Sequence, residues 1–505
     1  MPAAAPFRRA GPIRMRFGWP QSNMRCLAQP LLQQLRPRTD LQHLDALLLA
    51  ALRAAPRRYR MPPLPADADA AAASSADTAL AFAIEAVRIA KEERRLPPPA
   101  PVQALFTQAL ARLIHEALAP AGGDPRFQAM VMQAQDPVVH EHVHLSRQRK
   151  ADLRAIAAAT NAIAHPGKLR TMAPGEVREA LARLHELAAA GAWEDLARSI
   201  DRLLGQKPFQ QENLHLALEA ILSNPALERL VRGNQLLRLE AVQRYQALCE
   251  QHGPAAGSDA AAAQGRASAR QGDMAEQAGV QAFRKIADAL NQRAEGSASY
   301  RVVRSLRTPG GFPGDASKAK EEWDAAIVRS DAHGAAELVL LAEIKASPAA
   351  VTSDFPRLLR GLRRLAQARA EETYAFASAD GETRVPGASL QRLRPDGHAL
   401  PPHVIYCCPA PPESLPQPVS AASKAVLLAE PASLAFAHRL ARGEAPSHAL
   451  LAPVWEALAT APRLRAALYQ HETARTARAA MLHPDDVLAS VAQCLAITGG
   501  TADGG

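Results

Sequence analysis

The run ELVLLAEIKAS (337–347) constrains the fold of this chain more than any other stretch. Its apolar residues occupy both faces of a period-two pattern. A strand apolar on both faces belongs in the middle of a sheet that is covered on each side. The run ends with Glu343 and Lys345, two residues apart and so on one face of the strand. The sequence holds nine lysines against fifty arginines, so a lysine at that place in a buried-type strand is less readily an accident.

The flanking segments supply the rest of a sheet. MAEQAGVQAFRKIADALNQ (274–292) reads as a helix, with Val280, Phe283, Ile286 and Leu290 on one stripe. SYRVVRSLR (299–307) and WDAAIVRS (323–330) read as strands separated by the glycine-rich loop TPGGFPGD (308–315). That loop lacks GK[ST] and is no P-loop. The turn DAHGAA (331–336) joins the second strand to the third. TSDFPRLLRGLRRLAQARAEE (352–372) reads as a helix with Ser353 as its N-cap. Residues 379–401 read as a long polar loop, PHVIYCC (402–408) and KAVLLAE (424–430) as two more strands, and PASLAFAHRLARG (431–443) as a helix. The expectation for 274–446 is a mixed α/β domain, a central sheet flanked by helices in the order αβββαβ.

A chain of 505 residues is too long for one core. Residues 41–252 show three-four apolar spacing almost throughout and predict an all-helical domain for target or partner recognition. Residues 1–40 read as a basic Pro/Arg-rich tail, 253–273 as a flexible linker, and 447–505 as C-terminal helices ending in a frayed tail. With 48% hydrophobic and 22% charged residues the chain is not of a disordered class. Five scattered cysteines without a CxxC pair argue against a disulfide framework. The start lacks an apolar signal region, and Leu47–Leu52 is too short to span a bilayer. The expectation is a cytoplasmic protein with no membrane association. A net charge of +9 permits attraction to nucleic acid.

Strand placement brings three charged residues together. The turn between the second and third strands centres near residue 333.5, so a symmetric hairpin sets Asp324 opposite Glu343. Opposed residues share a face with β-carbons about 5 Å apart, and alternation adds Lys345. Two carboxylates that close repel unless a cation lies between them. A hard divalent ion, Mg²⁺ or Mn²⁺, suits oxygen ligands and keeps water that can act as a nucleophile. Lys345 suits activation of that water or stabilisation of charge on phosphate, since lysine shifts its pKa readily.

The element order, together with Asp324, eighteen intervening residues and then Glu343-x-Lys345, resembles the PD-(D/E)xK (restriction-endonuclease-like) nuclease superfamily over about 170 residues. The resemblance implies that Asp324 and Glu343 bind the metal, that Lys345 is catalytic, and that the protein is a Mg²⁺- or Mn²⁺-dependent phosphodiester hydrolase. Glu276 loosely matches a further acidic residue on the family's first helix. Trp323 stands where the name-giving proline would be.

On the helix that follows, Phe355, Leu358, Leu359, Leu362 and Leu365 share one side, and Arg357, Arg360 and Arg364 the opposite side. Such an arginine stripe can track a phosphate backbone. Arg301, Arg304, Arg307, Lys318 and Lys320 flank the same place, so a nucleic-acid partner is expected, DNA ahead of RNA. Other readings stay open. The stripe also fits a solvated helix face, and Asp324, Glu343 and Lys345 also fit an ordinary cross-strand ion network. In that case the protein is a non-catalytic helical interaction or nucleic-acid-binding protein on an inactive scaffold. HEHVH (140–144) lacks a third zinc ligand and reads as a polar helix start or loop.

Overall fold

The computed structural model describes residues 41–93, 98–251, 253, 258–294, 298–330 and 336–499. The expected tail at 1–40, Cys26, the turn at 331–335, part of the expected linker and residues 500–505 lie outside the described residues. The chain is mostly helical, with one seven-stranded mixed sheet.

Two compact units divide it. The sheet unit takes residues up to 113 together with 262–427 and 448–505, and the helical unit takes 114–261 and 428–447. This differs from an all-helical 41–252 followed by a nuclease-like 274–446. The first helices read the same in sequence whether they pack on one another or on a sheet, because both partners call for one apolar stripe.

Helices used below are α1 (Leu41–Ala54), α2 (Ala76–Glu92), α3 (Pro137–Ala164), α4 (Pro225–Leu236), α5 (Glu240–Gln251), α6 (Asp259–Ala294), α7 (Val351–Leu365), α8 (Gln470–Ala479) and α9 (Pro484–Gly499). The strands are β1 (Ser299–Arg307), β2 (Glu322–Ser330), β3 (Ala336–Ile344), β4 (Thr373–Ser378), β5 (Gly381–Pro386), β6 (Val404–Cys407) and β7 (Met481–Leu482). The sheet order is β5-β4-β1-β2-β3-β6-β7. The strands from β5 to β3 pair antiparallel, and β6 and β7 continue from β3 in parallel.

β3 lies inside the sheet between β2 and β6, as its two apolar faces require. Ala326, Val328, Leu338 and Leu341 cluster with Phe355, Leu358 and Leu362 of α7. Ala325, Ile327, Leu340, Ala342 and Ile344 cluster with Leu48 of α1, Phe283, Ile286 and Leu290 of α6, and Val487 and Val491 of α9. The five apolar residues predicted on one side of α7 are all buried, each contributing about 1.5–3 kcal/mol of burial.

The β2–β3 ladder pairs Ala325 with Ala342, Ala326 with Leu341 and Ile327 with Leu340. It then slips by one, so that Val328 pairs with Leu338 and Val339 is the extra residue of a bulge. The expected register holds on the side that carries the charged residues, where Asp324 and Glu343 come next.

Several expectations are corrected. Residues 259–273 are the start of α6 and not a flexible linker, since alanine-rich, small-residue sequence has high helix propensity. KAVLLAE is not a strand: a helix spans Ala421–Leu428. Residues 379–401 are not a loop throughout, because β5 pairs with β4 there and a short helix follows at Gly387–Gln391. Ser353 is not the cap of α7: Ser347 caps the preceding 3-10 turn, and α7 begins at Val351. β7 adds an edge strand from the C-terminal segment.

The helical unit has its own core, with Ile156 of α3, Leu227 and Leu230 of α4, Trp193, Leu196 and Ile200. Asp136 caps α3 by accepting from the amides of Val138 and Val139, and Pro137 takes the first helical position. HEHVH therefore lies in the first turns of a continuous helix. No helix among the described residues is long and apolar enough to cross a membrane.

Candidate active site

Glu343 sits in the penultimate position of β3, beside Tyr406 of β6, and is 2% exposed. Two ammonium groups converge on one of its oxygens. Lys345 Nζ donates to Glu343 Oε1 at 2.7 Å, and Lys320 Nζ donates to the same atom at 2.7 Å. The other oxygen, Glu343 Oε2, is buried without a hydrogen-bond partner. Burial first, and the charge of Asp324 second, push the Glu343 carboxyl up to about 7 despite the two lysines. Burial works to lower Lys345, but Glu343 and then Asp354 outweigh it and leave that ammonium raised.

Asp324 Oδ2 accepts from the Ile344 amide at 2.7 Å, which ties the start of β2 to the end of β3. Glu276, half-buried on α6, is raised by burial and by the charge of Asp324. Lys345 also lies 3.3 Å from Asp354 Oδ1 on α7. Tyr406 Oη donates to Asp354 Oδ2 at 3.1 Å, and burial holds its phenol far above the ordinary range. Asp324, Glu343 and Lys345 thus come together at one end of the hairpin, with Glu276 in electrostatic reach of Asp324.

Backbone strain gathers beside the same residues. Ser305 and Lys318 are the non-glycine residues with positive φ among the described residues, at +49° and +54°. Ser305 falls between the β1–β2 pairs Arg304–Ala325 and Leu306–Trp323, across from Asp324, and Lys318 precedes Lys320 by two. Such conformations cost about 1 kcal/mol or more and concentrate at functional sites. Gly361 of α7 lets the Lys320 segment approach, because a β-carbon there would lie 2.8 Å from the Lys320 carbonyl oxygen.

The expected phosphate-contacting residues divide. Lys318, Arg357 and Arg360 are exposed, and Arg360 Nε donates to the Lys318 carbonyl at 2.9 Å. Lys320 is not on the surface but 7% exposed against Glu343. Arg364 is also 7% exposed; it pairs with Glu321 at 2.8 Å and lies over the Phe312 ring. Arg304 is held by Asp380 at 2.8 Å. The reason is geometric: α7 packs close enough to the 312–321 loop for that loop to cover part of its polar side. Sequence reasoning missed Asp354 and Tyr406, and it placed Lys320 outside the site. The scarcity of lysine that singled out Lys345 applies equally to Lys320.

Among the described residues no group of three His, Cys, Asp or Glu is arranged to hold a metal ion. The donor chemistry nonetheless suits a hard cation: Asp324 and Glu343 are both carboxylates, the charge of Asp324 raises the cost of ionising Glu343, and one Glu343 oxygen is buried without a partner. Mg²⁺ commonly takes only one or two protein carboxylates, with water and substrate phosphate completing its shell. No family model, curated protein or solved structure matches this chain.

Proposed function

We propose that the protein is a metal-dependent nuclease of restriction-endonuclease-like fold that hydrolyses phosphodiester bonds, with DNA as the expected substrate. The observation that carries this reading is Glu343, buried at the end of β3 with two lysines on one oxygen and none on the other. That second oxygen keeps a buried lone pair, and Asp324 puts a second carboxylate beside it. Asp324 and Glu343 would hold Mg²⁺ or Mn²⁺, and Glu276, which feels the charge of Asp324, would add negative charge nearby. The ion when bound would supply Lewis acidity towards phosphate and a more acidic water. Lys345, kept positive by Glu343 and Asp354, suits stabilisation of charge on the scissile phosphate. Asp354, itself held by Tyr406, fixes the direction of the Lys345 side chain. Lys318, Arg357 and Arg360 are the exposed cations available to the flanking phosphates.

A second reading is favoured by Lys320. Two lysines on one glutamate also make a self-neutralising ion network, as an inert nucleic-acid-binding or interaction scaffold would have. Cleavage of plasmid DNA, single-stranded DNA and RNA by wild type and Lys345→Ala, with Mg²⁺, Mn²⁺ or EDTA, separates the two. The nuclease reading expects metal-dependent cutting that is lost in the variant. Absence of cutting by wild type on all three substrates, or equal cutting by Lys345→Ala, would overturn it.

A further inference from the structure

The helical unit contains a cavity of about 220 Å³ between α3 and α4, near α5. One wall is the α3 face of His142, Leu145, Ser146, Arg149 and Asp152, and the other includes Arg229, Leu230 and Gly233 of α4. Their charges are not balanced. Asp152, 4% exposed, is fully engaged by Arg229, whose Nε and Nη2 donate to its two oxygens at 3.0 and 2.6 Å. That fork-to-fork pair gives each oxygen of the acid a donor and largely offsets its charge. Arg149 is half-buried in the same cavity and makes no ion pair with the described residues. Burial, and then the positive charge of Arg149, hold the His142 imidazole below its usual value.

Gly233 is the second, independent observation. It lies in the last turn of α4, and the amide of Leu237, just past the helix end, donates to its carbonyl. A β-carbon at Gly233 would meet only Arg149 Nη1, at 4.0 Å. The missing side chain leaves open space directly in front of the unpaired guanidinium.

We propose that this cavity binds a small ligand carrying an oxyanion, phosphate or carboxylate, on an apolar body. Arg149 receives the oxyanion with Ser146 and His142 beside it, and Leu145 and Leu230 line the path of the apolar part. The site is separate from the sheet and does not depend on the nuclease reading.

Calorimetric titration of the full chain with phenyl phosphate and with benzoate tests it. Binding of at least one is expected, and the stronger of the two identifies the head group. Arg149→Gln should weaken it by about tenfold or more. Gly233→Leu should abolish it while leaving the melting temperature unchanged or higher, because leucine is the better helix former. The second variant guards against a loss caused by unfolding. Absence of binding of either probe at millimolar concentration, or undiminished binding in both variants, would overturn the proposal.

Discussion

Two buried acid–base clusters of the sheet unit look alike in composition and differ in completeness. In α2, Glu85 and Arg88 are 7% and 8% exposed. Arg88 Nε and Nη2 donate to the two oxygens of Glu85 at 2.8 and 2.6 Å, and Glu92 takes a further guanidinium N–H. Every oxygen of Glu85 has a donor. At the end of β3, Glu343 is buried more deeply, yet both lysines crowd Oε1 and Oε2 has none. The first arrangement satisfies its own charge and secures the fold. The second leaves one buried carboxylate oxygen without a donor, beside positive-φ backbone and a second carboxylate, the combination on which the proposed nuclease reading rests.

Exchanging the acids should break this contrast most visibly. Glu343→Gln is expected to lower metal-dependent cleavage by roughly a thousandfold while the chain stays folded. Cleavage kinetics alongside circular dichroism checks both halves. Glu85→Ala should do the reverse. It leaves Arg88 buried with only Glu92, costs about 3 kcal/mol in denaturant unfolding, and leaves cleavage per folded molecule unchanged.

The pH dependence of stability sharpens the comparison. The folded state keeps a proton on Glu343 up to about 7, whereas the unfolded chain releases it near the ordinary glutamate value of 4.5. Stability should therefore fall as pH rises between those values and level off above them, by up to about 3 kcal/mol from this group. Glu343→Gln should flatten that segment in urea titrations run at several pH values. An unchanged slope would mean that Glu343 is ionised throughout. The smallest difference separates two arginines once assigned to one stripe. Arg364→Ala removes a buried guanidinium that pairs with the exposed Glu321 and should cost about 1–2 kcal/mol, whereas Arg360→Ala should stay within about 0.5 kcal/mol.

Much of the sheet was legible in the sequence, for identifiable reasons. β3 is apolar on both faces, as a central strand must be, and hairpin symmetry fixed the register on the Asp324 side. The bulge at Val339 lies beyond the charged end and had no sequence signal. Other elements were misread where local pattern is ambiguous. KAVLLAE is short and apolar and fits strand or helix alike, and the alanine-rich start of α6 has a linker's composition but a helix former's propensity. Asp354 and Tyr406 could not be found, because α7 and β6 meet β3 only in three dimensions. Lys320 was visible as a rare lysine, but only the close approach allowed by Gly361 turns it inward.

The most direct test of the contrast is a Mn²⁺ titration followed by electron paramagnetic resonance, on wild type, Glu343→Gln and Glu85→Gln. The account predicts one bound Mn²⁺ per chain in wild type, the same in Glu85→Gln, and affinity weakened about tenfold or more in Glu343→Gln. Wild type that binds no Mn²⁺, or Glu343→Gln that binds it as well as wild type, would contradict it.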